Sequence, residues 1–299
     1  MAKLFEVTLS DGFKMKGNSW LIEKGKANYV FITGMQEYSM RYDKMAKYMN
    51  EQGINIWILD HIGQGENAKS VEEQQQWCVN AFDKIVEGLY LTIELAKQNG
   101  LPTVQGGHSM GSFMTQARLE RYPEAASKTI IVGSNGGQGF LMSMGYFLAE
   151  LMVNKKNWNK PNKFLSNLGL GGYSKAIKDR KTDLDWLSYN EDNVQKYIAD
   201  PYCGHPNTSG FWKEFLKGMR LIWKDKELKK IHKGEKVFIT SGSEDPVGQN
   251  GKGLKWLEKK YQELGVDVRL KLYEHMRHEI HNEDNYLEVY KDWVDFILE

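Results

Sequence analysis

Short apolar runs alternate with longer amphipathic stretches along most of this sequence. Uninterrupted apolar runs are typical of strands that are buried on both faces of a sheet. In the longer stretches, apolar residues recur every three or four positions, which is the period of a helix with one buried face. Because strand and helix alternate, the pattern predicts an α/β fold in which parallel strands carry helices on both faces. The predicted buried strands are 29–33, 54–60 and 129–134, and further strands are predicted at 103–107, 236–241 and 267–273.

The N-terminal residues follow a different pattern. The segments 5–9 and 13–21 alternate polar and apolar positions, and Asp11-Gly12 lies between them. Such alternation around an Asp-Gly turn is the signature of an antiparallel hairpin. We therefore expect two further strands at one edge of the sheet, which brings the total to about eight.

Several segments between the strands have the spacing of amphipathic helices. In the clearest of them, Trp77, Ala81, Ile85, Leu89 and Ile93 recur every four residues before an Asn-Gly pair and a proline close the segment. Helices of this length suit the crossover connections that parallel strands require. The other predicted helices of this kind are 41–50, 110–121, 254–264 and 286–297.

Strand and helix stop alternating after residue 134. Residues 139–153 are almost all apolar or small, but the run is too short to span a bilayer and contains Glu150. It predicts a helix that is buried under other helices or folded over a cleft.

The rest of this region lacks the strand pattern. Its residues predict a loop at 154–172 and helical stretches at 193–198 and 211–223. We therefore expect a core made of residues 1–134 and 235–299, with an inserted helical cap at 135–234.

Composition limits the kinds of partner. The 299 residues include 40 basic and 39 acidic side chains, so the formal net charge is only +1. A nearly neutral chain argues against nucleic acid as a partner. The N-terminus has no uninterrupted apolar stretch, and Cys78 and Cys203 are the only cysteines. We therefore expect no signal peptide, no stable membrane insertion, and a reduced, cytoplasmic protein whose cysteines serve packing.

A serine lies between two glycines where a predicted strand meets a predicted helix. The stretch Gly107-His-Ser109-Met110-Gly111 has the G-x-S-x-G spacing, in which the serine occupies a strained turn and the glycines let strand and helix pass closely. The N–H of Met110 is expected at the start of the helix, where the helix dipole favours a developing negative charge. The turn therefore predicts a nucleophile and one donor of an oxyanion hole.

Candidate partners for this serine lie after the last two predicted strands. A serine hydroxyl needs a neighbouring base and a carboxylate that orients the base, and in a parallel sheet such groups come from loops at the carboxyl ends of strands. Glu244 and Asp245 follow one strand, and His275, His278 and His281 follow the next. The order serine, acid, histidine is that of the G-x-S-x-G class. Loop position favours Asp245 and His278, with the other three as alternatives.

Several short motifs carry a resemblance to a known family. They are Gly34-Met-Gln-Glu37 with Arg41-Tyr42, Asp60-His-Ile-Gly-Gln-Gly65, Gly107 to Gly111, Gly242 to Asp245, Arg277-His278-Glu279 with Asn282-Glu283, and, in the predicted cap, Asp185-Trp-Leu-Ser188 and Asp200-Pro-Tyr-Cys-Gly204. Over nearly its whole length the chain resembles the α/β-hydrolases of the monoacylglycerol lipase and lysophospholipase group, which includes serine aminopeptidases. The resemblance implies Ser109 as nucleophile, Asp245 as acid and His278 as base. It also implies an oxyanion hole formed by the backbone N–H groups of Met35 and Met110.

The chain departs from this family's pattern at three positions. The family commonly has histidine before the glycine of the oxyanion loop, where this chain has Thr33. An arginine and a second histidine after the Asp60 strand are replaced here by Ile62 and Gln64. Because the donors of the oxyanion hole are backbone groups, we expect the hole to be kept and the hydrogen bonding around it to differ.

These features predict a serine ester hydrolase that acts on lipid-like or medium-chain monoesters through an acyl-enzyme. Methionine and phenylalanine in the predicted cap favour an adaptable apolar pocket, with Met142, Phe147 and Gly34 as candidate substrate-binding residues; the alternative is that the cap side chains only pack on the core. The expected partner is a small ester, and the chemistry requires no cofactor or metal. The spacing His278-Glu-Ile-His281 differs from that of the zinc motif H-E-x-x-H.

Two other functions stay open. A serine aminopeptidase with the same three residues requires a carboxylate or carbonyl cluster in the cap to hold the amino group, and the acidic residues of the cap offer one. A binding protein on a hydrolase fold predicts an unreactive Ser109. The acidic cap residues are Asp183, Asp185, Glu191 and Asp192.

Overall fold

The computed structural model describes residues 1–299 and contains one sheet of eight strands. The strands are β1 (Lys3–Thr8), β2 (Lys14–Trp20), β3 (Ala27–Ile32), β4 (Ile54–Leu59), β5 (Thr103–His108), β6 (Lys128–Val132), β7 (Lys236–Gly242) and β8 (Asp267–Tyr273). Their spatial order is β1-β2-β4-β3-β5-β6-β7-β8. β2 pairs antiparallel with β1 and with β4, and all other neighbours are parallel. The predicted eight-stranded, mostly parallel sheet with an edge hairpin is confirmed.

Helices cover both faces of this sheet. They are α1 (Asp43–Glu51), α2 (Ala81–Lys97), α3 (Met110–Arg121), α4 (Gly139–Met152), α5 (Lys163–Ala176), α6 (Glu191–Ala199), α7 (Ser209–Met219), α8 (Asp225–Leu228), α9 (Lys252–Glu263) and α10 (Tyr286–Leu298). Alternate residues of β3 face opposite ways: Val30 and Ile32 pack with α2 and α3, whereas Tyr29 and Phe31 pack with α1 and α10. Both faces are therefore buried, which explains the uninterrupted apolar runs in the sequence.

The predicted helix that includes Trp77 begins only at Ala81. Asn80 adopts a left-handed φ of 60° immediately before α2, and this conformation interrupts a helix. Trp77 is nevertheless buried, because its ring packs on Phe211 of α7 with the centroids 4.5 Å apart. The four-residue spacing between Trp77 and Ala81 is therefore not a turn of a helix: Trp77 lies in the loop before α2, and its side chain packs on α7.

Between β6 and β7 the chain forms the five helices α4 to α8. The prediction of a loop throughout 154–172 is wrong, because α5 begins at Lys163. The Asn162 side chain caps this helix by accepting a hydrogen bond from the Leu165 N–H at 3.0 Å. A Cβ on Gly169 would lie 2.6 Å from the Trp212 ring of α7. This glycine, which suggested a loop, therefore permits close helix packing.

The sequence predicted that α4 is either buried under other helices or folded over a cleft. The first alternative is wrong, because most of α4 is at least partly exposed. Its buried residues are Gly145 and Ala149, and Gly145 faces Leu216 of α7. Phe140 and Leu151 are 81% and 71% exposed. The division into a core and a cap at 135–234 stays a prediction. None of the helices combines the length and the apolar character needed to cross a bilayer.

Candidate active site

Ser109 lies on a sharp turn between the end of β5 and the start of α3. Its φ and ψ are 54° and −119°, which is a strained conformation for a residue with a side chain. A Cβ on Gly107 would lie 2.5 Å from the carbonyl oxygen of Gly111, and a Cβ on Gly111 would lie 2.3 Å from that of Thr33. Only glycine therefore fits on either side, and the serine is held, partly exposed, at the carboxyl edge of the sheet.

His278 and Asp245 form a buried pair in the loops after β8 and β7. Nδ1 of His278 lies 3.0 Å from Oδ2 of Asp245, and the two side chains are 1% and 0% exposed. Asp245 also accepts hydrogen bonds from the Ser241 hydroxyl at 2.8 Å and from the Val247 N–H at 2.9 Å. Nε2 of His278 is buried without a hydrogen-bond partner, and His278 and Ser109 line one cavity. The histidine–acid hydrogen bond is therefore formed, Ser109 and His278 border the same cavity, and no hydrogen bond joins the serine to the histidine.

The electrostatics of this pair favour an ionised acid and a basic imidazole. Burial by itself lowers the pKa of His278, but the charge of Asp245 and the hydrogen bond to it outweigh burial, so the pKa of His278 is raised above its ordinary 6.5. Burial by itself raises the pKa of Asp245, but the charge of His278 and the hydrogen bonds to the carboxylate keep that pKa below its ordinary value. Asp245 is therefore a carboxylate that fixes the imidazole in one orientation.

The alternative acid and bases lie elsewhere. Glu244 accepts a hydrogen bond from Tyr189 and lies 3.4 Å from Nδ1 of His275, whose side chain is 90% exposed. His281 is buried and stacks on Tyr42 with the centroids 5.0 Å apart, and neither of its ring nitrogens is hydrogen-bonded. Burial lowers the pKa of His281 to about 3. None of the three alternatives lines the cavity with Ser109.

Two residues whose backbone N–H groups have no hydrogen-bond partner in the chain line the cavity with Ser109. Met35 and Met110 both line it. Met110 is the first residue of α3, so its N–H has no carbonyl partner within the helix. The neighbouring N–H of Gly34 donates to Oε1 of Glu37 at 2.6 Å, whereas the Met35 N–H makes no hydrogen bond within the chain. Both predicted donors are therefore available.

A buried ionic network borders the cavity, and the sequence predictions assigned it no role. The Arg41 guanidinium lies between the carboxylates of Glu37 and Glu279, at 2.5 Å and 2.9 Å. Glu37 also accepts from the Tyr42 hydroxyl and contacts Nδ1 of His108 at 3.1 Å. Burial raises the pKa of Glu37, but His108 and Arg41 outweigh it and lower the pKa to about 2. The sequence did contain a sign of this network: Glu37, Arg41 and Glu279 lie in the same short motifs that carry the family resemblance.

A cavity of about 350 Å³ opens over Ser109. Of its 35 lining residues 21 are hydrophobic, and the lining includes the two candidate substrate-binding residues Met142 of α4 and Gly34. The prediction that Phe147 lines it is wrong: the side chain is 63% exposed and lies outside the cavity. Phe147 lies five residues after Met142 on the helix, so the two side chains point in directions about 140° apart. No group of three or more His, Cys, Asp or Glu side chains is arranged to hold a metal ion.

The sequence profile of one known family, described as "Serine aminopeptidase, S33", matches residues 23–285. This span includes Ser109, Asp245 and His278 and most of the sheet. The chain belongs to the serine aminopeptidase S33 family. The predicted resemblance to the α/β-hydrolases of the monoacylglycerol lipase group is confirmed.

Relatives of this S33 family member include proteins named as monoacylglycerol lipases or their homologs. A monoacylglycerol lipase from Mycolicibacterium smegmatis is 24% identical over 275 residues, which cover 90% of this chain and 87% of that protein. A monoglyceride lipase homolog from Monkeypox virus is 23% identical over 258 residues, which cover 85% of this chain and 82% of that protein.

Solved structures show the fold of the S33 family member. A thermostable carboxyl esterase from Bacillus coagulans, in complex with glycerol, matches with a TM-score of 0.83 and 24% identity over 100% of this chain and 99% of that chain. A soluble variant of monoglyceride lipase from Saccharomyces cerevisiae, in complex with a substrate analog, matches with a TM-score of 0.74 and 18% identity over 99% of this chain and 94% of that chain. The architecture is the α/β-hydrolase fold, as the sequence predicted.

Proposed function

We propose that this protein is a serine ester hydrolase in which Ser109 is the nucleophile, His278 the base and Asp245 the group that orients the imidazole. The observation that carries the proposal is the buried His278–Asp245 pair, whose unpartnered Nε2 shares a cavity with a serine on a strained strand-to-helix turn. An imidazole held in this way takes a proton from the serine and returns it to the leaving group. The relatives named as lipases and esterases support an enzyme of the esterase or lipase type.

The proposed reaction has two steps. Nε2 of His278 accepts the proton of Ser109 while the serine oxygen bonds to the ester carbonyl carbon. The carbonyl electron pair moves onto the oxygen, to which Met35 and Met110 donate their N–H groups. When the tetrahedral intermediate collapses, the alcohol leaves with the proton from His278, and an acyl-serine remains. Water then repeats the sequence with His278 as the base, which releases the carboxylic acid and restores Ser109.

The proposed substrates are lipid-like or medium-chain monoesters. The cavity volume of about 350 Å³ is within the range of sites that enclose small molecules. Its walls are mostly hydrophobic, and its polar groups, among them Ser109 and His278, form only part of the lining. Such a cavity suits an acyl chain with the ester at the polar end. Relatives that are named monoacylglycerol lipases are consistent with this class.

We also propose that residues 135–234 form a cap over the site. Three of its helices contribute cavity residues, which include Met142 from α4, Leu165 from α5 and Trp212 from α7. Leu141 of α4 and Leu168 of α5 line the cavity and are also 49% and 53% exposed, and we therefore place its opening between these helices. An acyl chain can enter between these two helices.

The test combines labelling with a substrate profile. A fluorophosphonate is expected to modify one serine, which peptide mass mapping identifies as Ser109, and glycerol monoesters of increasing acyl length are expected to be hydrolysed. Saturating fluorophosphonate is expected to abolish that hydrolysis. Failure of Ser109 to react, or hydrolysis that survives complete modification, contradicts the proposal.

The matched family is described as a serine aminopeptidase, but the residues that line the cavity do not favour an aminopeptidase. The four acidic cap residues proposed to hold an amino group do not line the cavity. Asp185 accepts hydrogen bonds from Thr182, and Glu191 pairs with Lys181. The carboxylates that do line the cavity, Glu37 and Glu279, are both paired with Arg41. We therefore expect aminoacyl arylamides to be hydrolysed far more slowly than aryl esters, and the reverse ranking favours the peptidase.

Substitutions on α4 test the position of the acyl chain. We expect Met142→Ala to lower kcat/KM for a water-soluble medium-chain aryl ester by about threefold to tenfold, because it removes apolar contact with the chain. The same change at Phe147, outside the cavity, is the matched control and is expected to stay within about twofold. An equal loss in both variants places the chain elsewhere.

The pH dependence of kcat/KM tests the proposed base. His278 accepts a proton only when it is neutral, so activity is low in acid and rises as the pH passes the His278 pKa. Since Asp245 raises this pKa, the midpoint of the acid limb is expected above 6.5. A midpoint at or below 6.5 argues that the acid does not act on His278 as proposed.

A further inference from the structure

The loop 34–37, which carries Met35, is fixed on its core side by one buried side chain. Gln64 follows β4 and is 0% exposed. Its Nε2 donates to the carbonyl oxygens of Gly34 at 2.9 Å and Glu37 at 2.7 Å, and its Oε1 accepts from the Gln36 N–H at 3.1 Å. Among side chains, only an amide offers two donors together with an acceptor. Gln64 therefore fixes three backbone groups of this short loop at once.

The opposite side of the loop is held by the segment between β6 and β7. Gln36 has a φ of 62°, a left-handed conformation that is uncommon for a residue other than glycine. Its carbonyl oxygen accepts from the Tyr197 hydroxyl at 2.9 Å and from the Gly204 N–H at 3.0 Å. Its side-chain amide donates to the carbonyl oxygen of His205 at 2.6 Å. The strained residue is thus clamped from both sides.

Hydrogen bonds occupy the N–H groups on either side of Met35. The Gly34 N–H is bound by Glu37 and the Gln36 N–H by Gln64, while the Met35 N–H between them makes no hydrogen bond. Gln64 does not line the cavity, so any effect on a substrate passes through the loop.

We infer that Gln64 is a positioning residue for the proposed oxyanion hole, holding the 34–37 loop so that the Met35 N–H faces the Ser109 cavity. The inference rests on the proposed function. An oxyanion-hole donor works because its direction is fixed before the reaction, so a loop that relaxes stabilises the transition state less well. Tyr197 supports the same loop from the other side, and the hole is therefore built by two separate parts of the chain.

The test replaces Gln64 by methionine, which has a similar length but no hydrogen-bonding amide. The matched control is Gln74→Met, since Gln74 is also buried, 3% exposed, but neither its amide oxygen nor its nitrogen has a partner. Aryl ester hydrolysis is measured as kcat and KM per active site titrated with a fluorophosphonate. Inhibition by an aryl boronic acid, which forms a tetrahedral serine adduct, reports the oxyanion hole separately.

We expect Gln64→Met to lower kcat by about tenfold to a hundredfold with KM within about threefold, because the loss falls on the transition state. Boronate inhibition is expected to weaken in parallel, while the acid limb of the pH profile stays in place because the His278–Asp245 pair is untouched. The Gln74→Met control is expected to keep kcat within about twofold. If a substitution only reduces the amount of folded protein, fewer active sites react with the fluorophosphonate, but kcat per titrated site does not change.

Tyr197→Phe tests the same loop from its other side if Gln64→Met does not fold, and it keeps the Tyr197 ring, which lines the cavity. It removes one hydroxyl from the Gln36 carbonyl and is expected to lower kcat per site by about threefold to tenfold. Unchanged kcat and boronate inhibition in the variants that fold, with active wild type, overturns the inference alone. Absence of both labelling and hydrolysis in the wild type overturns the proposed function and this inference with it.

Discussion

Ser109→Ala is expected to lower kcat for ester hydrolysis by about 10⁴- to 10⁶-fold, because it removes the atom that bonds to the acyl group. The substitution removes one oxygen from a turn whose strain and packing depend on Gly107 and Gly111. We therefore expect the fold to be unchanged, and KM or inhibitor binding to stay close to the wild-type value wherever residual turnover allows measurement. The measurement is hydrolysis of a medium-chain aryl ester, together with thermal unfolding of both proteins.

The matched control for this variant is Ser143→Ala. Ser143 lies on α4, outside the cavity lining, and its hydroxyl bonds to the Gly139 carbonyl within the helix. Its loss is expected to change kcat by no more than about twofold. If the Ser109 variant retains more than about a tenth of the wild-type rate, Ser109 is not the nucleophile and the proposed mechanism fails.

Asp245→Asn is expected to lower kcat by about 10⁴-fold with little change in the fold. The carboxylate accepts from Nδ1 of His278, from Ser241 and from the Val247 N–H. An amide in its place presents a donor where acceptors are needed and removes the charge that favours a protonated imidazole. The measurement is the pH profile of kcat/KM, in which any residual activity is expected to have its acid limb at lower pH than in the wild type.

Glu244→Gln is the matched control, since it makes the same chemical change one residue away. Glu244 contacts Tyr189 and His275, and its side chain is 44% exposed. We expect kcat within about twofold of the wild type and an unmoved acid limb. A larger loss at Glu244 than at Asp245 reverses the assignment of the acid.

The sheet was predictable because its signal is local. β8 has the predicted bounds, 267–273, and the helix behind Ser109 has the predicted bounds, 110–121. Each depends on a rule that acts within a few residues: apolar residues at every second position of a strand with one packed face, as at Val268, Leu270 and Leu272, and glycine where a Cβ has no space. The helix α5 was missed for a related reason, because glycines that favour a loop in isolation are tolerated where a helix packs closely on another.

The sequence left two candidates for the acid, Glu244 and Asp245, and three for the base, His275, His278 and His281. Loop residues next to one another point in different directions, and the direction depends on what each side chain packs against. Glu244 turns to Tyr189 and Asp245 to His278. Family resemblance favoured this pairing, and only the folded chain supplies the contact.

The sequence by itself determined the order of the strands along the chain, the turn that carries Ser109 and the narrow set of its partners, since these depend on short-range sterics and periodicity. The tertiary structure alone decided the arrangements that join distant residues. Arg41 bonds to Glu279 across 238 positions, and the Gln36 carbonyl receives a hydroxyl from 161 positions away. The rotation of α4 about its own axis likewise decided that Met142 lines the cavity and that Phe147 does not. Such contacts arise from how helices and loops pack over the sheet, and no pattern within one segment encodes them.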